Sequence, residues 1–243
     1  MSSYGTLAIQ IPNTGTRLAI DFIHTAGRMF ECTDNRMKST ERKPPSYKQT
    51  SHTFTPRYNG PDQSQMTDSQ RDIYNSIIAS RPRTGISGPF GPWLSIPKIA
   101  DPAQHLGQAC RYGTSLSFRE SELVILLTGA KHKSHAEFDI HVGESLKAGI
   151  TMQLIESIPR DDEFSTQAVQ NQMVPLCDNG REKQIIMFAA ELLDTSHVCD
   201  DRYNAAKHIL GNDSVLVEIT SIIGYYTFCA YTLNVFRIPT KKV

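Results

Sequence analysis

The sequence has no excess charge of either sign: Lys and Arg number 25, and so do Asp and Glu. Without clustered positive charge it lacks the phosphate-contacting surface of a dedicated nucleic-acid binder. Without an acidic excess it is not an acidic tail protein. Cysteine is sparse and scattered. Cys32, Cys110, Cys177, Cys199 and Cys229 are odd in number, and no two have the C-x-x-C spacing of a redox or zinc site. This predicts reduced, buried thiols in a cytoplasmic protein. There is no G-x-S-x-G elbow, no P-loop and no dinucleotide glycine fingerprint. The first 22 residues lack an apolar core behind a basic start and do not read as a secretory signal. One run, Val215 to Phe236, has the length of about 20 residues needed to cross a membrane. It carries Glu218 and Asn234, and an unpaired carboxylate in lipid is costly, so it reads as a buried core helix.

What is present divides into two regions. Residues 1–53 contain the polar, basic, proline-bearing run from Asp34 to Thr53. That composition buries too little apolar area to offset its ordering entropy, and the region reads as a disordered or weakly ordered arm. Residues 54–243 carry regular helix punctuation. Thr67-x-x-Gln70 and Ser117-x-x-Glu120 are capping boxes. Asp101-Pro102 predicts a helix start, with a stop at Gly113. Further helices are expected over the segments SHAEFDIHVGESLKA, MQLIES, REKQIIMFAAELLDTSH and DDRYNAAKHIL, and from about Asp213 to before Pro239. Residues 159–180 read as a polar connector, and GISGPFGP as a loop over or beside a pocket. The expectation is an all-α domain of roughly eight helices. A weak internal echo relates ELVILLTGAKHKSHAEFDIHV to VEITSIIGYYTFCAYTLNVF, each read as a long apolar helix with a mid-course glycine.

Two stripes of polar residues carry candidate chemistry. Ser134, Glu137 and His141 are three and four apart and project from one face of a helix. A carboxylate beside an imidazole fixes its tautomer and raises its pKa, which suits proton transfer. The bland alternative is an i,i+4 pair on a solvated face. Glu122, on the preceding helix, reaches the same stripe if the two helices pack side by side. His132, His135 and Asp139 form a second stripe with metal-ligand residue types, but Lys131 and Lys133 interleave it and it reads as a solvated polar face. No metal site is expected.

Taken in order, Thr67 to Ser80, GPFGPWL, RYGTSLSFRESELVILLTG, the Ser134/Glu137/His141 helix with its KAG ending, FAAELL and GYYTFCAYTLNVFRIP resemble the carboxymuconolactone decarboxylase-like family. The resemblance spans roughly residues 54–240. It implies an alkylhydroperoxidase D-like all-α bundle with duplicated helical hairpins, assembled as a homotrimer or homohexamer. The family's peroxidase branch carries C-x-x-C-x-x-x-H on the second helix. In this sequence Ser134 and Glu137 stand at the cysteine positions, His141 at the histidine and Glu122 at the upstream glutamate. With sulfur at neither position, a thiol peroxidase is disfavoured.

The resemblance implies a lyase or isomerase acting without cofactor on a carboxylated lactone or β-keto acid. His141, Glu137 and Glu122 would be catalytic. Ser134, Arg119, Tyr226 and Asn234 are candidate substrate-binding residues, Arg119 by steering a substrate carboxylate. The expected partner is a small molecule, with neither nucleic acid nor membrane. The rival reading is a non-catalytic oligomeric binding scaffold, which predicts a surface Glu137–His141 pair with no cavity beside it; a pocket lined by both residues and closed by GPFGP would favour the enzyme. Residual thiol chemistry through Cys110 or Cys229 is a third. Deleting residues 1–53 should leave the melting temperature nearly unchanged if their composition has been read correctly; a thermal melt of the truncated chain is the check.

Overall fold

The computed structural model describes residues 55–81 and 86–239. The arm read over residues 1–53 lies outside them. Among the described residues there is no strand, and the all-α class is observed. Ten α-helices follow one another: α1 Asp68–Ser80, α2 Phe90–Trp93, α3 Pro97–Tyr112, α4 Phe118–Lys131, α5 His135–Lys147, α6 Met152–Glu156, α7 Thr166–Gln172, α8 Gly180–Thr195, α9 Asp200–Leu210 and α10 Asp213–Phe236.

Local chemistry sets most of the helix ends. Both capping boxes form, Thr67 with Gln70 and Ser117 with Glu120, each satisfying two amides at a helix start. Thr151 caps α6 through the Leu154 amide. Gly211 ends α9 in the left-handed region at φ 100°, where glycine carries no Cβ penalty.

The centre of the fold is α4. From Ser121 to Ala130 every residue is buried. A helix apolar all round must be enclosed on all sides, and α4 packs against α5, α8 and α10. Leu123, Val124, Ile125, Leu126 and Leu127 are at most 1% exposed. Each such side chain contributes about 1.5–3 kcal/mol relative to exposure. α10 is long and apolar enough to cross a membrane, yet 56% of its apolar window is buried against the rest of the chain, as in a core helix.

Several expectations are corrected. α3 begins at Pro97 rather than at Pro102, because the amides of Ile99 and Ala100 already bond the Ile96 carbonyl. Pro102 therefore lies inside the helix, and Asp101 turns to His105 at 3.3 Å. Residues 159–180 are not a bare connector. They hold α7 and two short 3-10 turns, and Phe164, Val169 and Met173 are buried apolar anchors. The polar residues between those anchors mask them in the sequence. The internal echo does not carry into three dimensions. Its first copy breaks into α4 and α5 at Lys133, whose φ is 53°, whereas its second is the unbroken α10.

The GPFGP segment is not a lid. Phe90 to Trp93 form α2, all four residues buried. Trp93 donates its indole N–H to Thr232 at 3.0 Å and stacks on Phe228 with ring centroids 4.5 Å apart. Gly91 lets this turn meet the backbone of Asn59, where any Cβ would overlap a carbonyl.

A second close approach occurs between α3 and α10. A Cβ at Gly107 would overlap the Tyr225 phenol. Gly143, on the exposed side of α5, has open space around it. Gly143→Ala should stabilise the protein by about 0.5–1 kcal/mol through helix propensity. Gly107→Ala should reverse that sign and cost about 1–3 kcal/mol by overpacking. Paired urea denaturation curves test the contrast.

Candidate functional site

The α4–α5 hairpin builds the site. Lys133 adopts the left-handed region and reverses the chain, and the Ser134 amide bonds the Gly129 carbonyl. α5 thereby runs back along α4, and Glu122, 19 residues earlier, faces His141. His141 Nδ1–H donates to Glu122 Oε2 at 2.6 Å. On the other side of the ring, Nε2 lies 3.3 Å from Glu137 Oε1, one helical turn earlier on α5. With a carboxylate at each nitrogen, the arrangement fits the doubly protonated imidazolium.

The three groups are inside the protein. Glu122 is 1% exposed, and Glu137 and His141 are each 4% exposed. Burial by itself would push the His141 pKa down. The charge and hydrogen bond of Glu122, joined by those of Glu137, outweigh it and raise the pKa from 6.5 to about 9. The histidine is therefore a cation at neutral pH.

α3 and α10 complete the cluster. Arg111 Nη2 lies 3.5 Å from Glu122 Oε1 and 3.3 Å from Glu144 Oε2, and Nη1 donates to Tyr226 Oη at 3.3 Å. Burial opposes the guanidinium's charge, but Tyr226 and Glu122 more than compensate, and its pKa is raised. The Tyr226 ring meets His141 edge-on, with centroids 5.2 Å apart. Burial pushes the Tyr226 phenol well up; Arg111 pulls the other way and Glu137 adds to the rise, so the phenol stays protonated. Two hydroxyls on the Glu137–His141 stripe, Ser134 Oγ and Ser145 Oγ, are buried and have no hydrogen-bond partner. Ser134 occupies the N-cap position of α5 without using its side chain to cap the helix.

The structure thus brings together His141, Glu137, Glu122 and Tyr226, and places Ser134 on the same stripe of α5. It does not bring in Arg119 or Asn234. Arg119 is committed to Glu182 at 2.7 Å and Asp178 at 2.9 Å, and also donates to the Gly149 carbonyl. It packs the start of α4 against α8. Asn234 is exposed and donates to the His132 carbonyl at 2.9 Å, closing the end of α4. Arg111, Glu144 and Ser145 are the additions that sequence reading missed. Arg111 sits in the last turn of α3, where a basic residue reads as a complement to the helix dipole. Ser145 follows His141 by four residues and was detectable by extending the stripe one turn.

The second stripe is not a single face. His132 caps α4 and its Nε2 pairs with Thr227 at 3.0 Å, while His135 faces Asp161 at 3.8 Å. Asp139 is buried rather than solvated. Among the described residues no cluster of three or more His, Cys, Asp or Glu is arranged to hold a metal ion. Cys110 and Cys229 are buried. Burial raises the pKa of both thiols, and Glu137 raises that of Cys229 further, which disfavours a thiolate.

Because His141 titrates near 6.5 unfolded and near 9 folded, the native state binds the extra proton between those values. Its contribution to stability is complete below about 6.5 and is lost as pH rises through about 9. Glu122→Gln removes the shorter of the two carboxylate contacts. It should lower the His141 pKa and flatten this part of the stability–pH curve. Histidine NMR titration and urea melts across that window measure both effects.

Comparisons of the chain with family models, with curated proteins and with solved structures give no match, and the functional reading rests on this geometry.

Proposed function

We propose that the protein is an enzyme of the carboxymuconolactone decarboxylase-like kind, a cofactor-free acid–base lyase or isomerase. Its substrate would be a small carboxylated lactone or β-keto acid. The observation that carries this reading is the buried imidazolium of His141, held between Glu122 and Glu137. A non-catalytic scaffold predicts a surface pair, whereas Glu137 and His141 are buried. A charged trio enclosed by a core is costly to keep, and it recurs where proton transfer is needed.

In the decarboxylation version, the bond between the substrate carboxylate and its α-carbon breaks and CO2 leaves. The electron pair delocalises into the substrate's own carbonyl to give an enolate. His141 Nε2–H delivers its proton to the α-carbon, and the neutral imidazole regains a proton from solvent before the next turnover. Glu122 holds Nδ1 and keeps Nε2 as the delivering nitrogen. The Tyr226 hydroxyl and the unpartnered Ser134 hydroxyl are donors for the enolate oxygen. An isomerase would use the same enolate with no loss of carbon.

The homotrimer or homohexamer and the cytoplasmic location belong to this proposal. Supporting the assembly, α10 exposes Val217, Phe228, Tyr231 and Val235 at helical spacing along one side.

A mass-spectrometric assay against small carboxylated lactones and β-keto acids tests the reaction. Wild type should release CO2 or convert substrate at unchanged mass. His141→Ala should lose about 10²–10⁴-fold in rate, the usual contribution of a general acid. The rate should fall as pH rises through about 9, where the imidazolium is lost. Full activity in His141→Ala would overturn the assignment.

A further inference from the structure

We infer that Arg111 is a carboxylate-binding residue, and that Glu144 occupies its anion seat until a ligand carboxylate displaces it. The inference rests on the acid–base reading of the neighbouring site and adds the group that would anchor the substrate.

Three observations lead to it. The first is the quality of the Arg111 contacts. Its three polar contacts measure 3.3, 3.3 and 3.5 Å. The other arginine ion pairs among the described residues are closer, from 2.7 Å for Arg119–Glu182 and Arg181–Glu120 to 3.1 Å for Arg202–Glu191. A guanidinium is built for a bidentate carboxylate. Arg119 comes close to that arrangement with Glu182, through Nε at 2.7 Å and Nη2 at 3.3 Å. Arg111 instead spreads single long contacts over Glu122, Glu144 and Tyr226.

The second is position. The Arg111 side chain keeps 19% of its surface exposed, and Glu144 keeps 28%, whereas Glu122 keeps 1%. Arg111 therefore spans the distance from solvent to the buried Glu122–His141 pair. A carboxylate docked on it would place the rest of a small ligand toward the stripe of Ser134, Glu137, His141 and Ser145. On that stripe lie two buried hydroxyls with no partner, Ser134 one helix turn before the Glu137–His141 pair and Ser145 one turn after it. Buried polar groups are normally satisfied, so an unpartnered one calls for an explanation, and a polar ligand group supplies one here.

The third is that Glu144 has somewhere else to go. Its other oxygen already accepts from Lys147 at 2.7 Å. Burial alone would raise its pKa. Lys147 first, and Arg111 after it, lower it, so the carboxylate is already held chiefly by Lys147. Exchanging Glu144 for a ligand carboxylate leaves the formal charge around Arg111 unchanged. Adding a ligand without the exchange would place a third carboxylate beside Glu122 and Glu144.

Titration calorimetry with sodium acetate at constant ionic strength, and acetamide as the neutral control, tests this on the full chain. Wild type should bind acetate and not acetamide. Glu144→Gln removes the internal competitor and should bind acetate about threefold to tenfold more tightly. Arg111→Lys keeps the charge but loses the fork and should bind at least about tenfold more weakly. If Arg111→Lys does not fold, Glu144→Gln alone decides. Acetate affinity unchanged in Glu144→Gln, equal affinity for acetamide, or no binding in either wild type or Glu144→Gln would each overturn the inference. The readout is binding rather than turnover. Loss of this site with His141-dependent activity intact would therefore refute the seat alone, and acetate binding without any turnover would refute the acid–base reading alone.

Discussion

The helix hairpin of α4 and α5 closes around one desolvated cation, and the arrangement of its neighbours follows from that charge. An imidazolium inside a protein is stable only if anions stand beside it and those anions are themselves compensated. Glu122 and Glu137 supply the first condition. Arg111 supplies the second for Glu122, at 3.5 Å; with Glu144 paired to Lys147, the formal charges of Glu122, Glu137, Arg111 and His141 sum to zero when His141 carries its proton. Had His141 been neutral, two buried carboxylates would face one guanidinium. The raised histidine pKa is thus a consequence of enclosing this set of charges together.

That charge balance explains why four helices meet here. Glu122 is the one charged residue in the buried stretch of α4 from Ser121 to Ala130, and a buried carboxylate there must find its partner on a neighbour. α5 provides His141, α3 provides Arg111, and α10 brings Tyr226 against both. The approach of α10 to α3 needs Gly107, whose missing side chain makes room for Tyr225, the residue next to Tyr226. The packing of Trp93 on Phe228 and Thr232 then fixes the outer end of α10. Core packing and site geometry are therefore coupled through a single helix rather than laid out in separate layers.

Much of the local structure was legible from the residues. The capping boxes at Thr67 and Ser117, the stop at Gly113 and the i,i+4 relation of Glu137 to His141 all depend on neighbours within a turn or two. Where the reading failed, two local signals competed or an apolar anchor was hidden. Pro97 and Pro102 both suit a first helical turn, and the tertiary fold chose the earlier one. Phe164, Val169 and Met173 are spaced among polar residues and did not register as a buried segment. Arg119 and Arg111 both lie near helix ends, and nothing in the sequence says which turns inward.

By itself, the sequence determined the helical class, most helix ends and the pairing of one glutamate with one histidine, because a repeat of 3.6 residues and a hydrogen bond from cap to amide act over a few positions. Only the tertiary structure decided which distant groups surround that histidine. Arg111 and Tyr226 meet across 115 residues, and their contact depends on how four helices cross. It also decided that the pair is buried and charged rather than solvated, since a pKa reports the surroundings of a group and not its spacing along the chain.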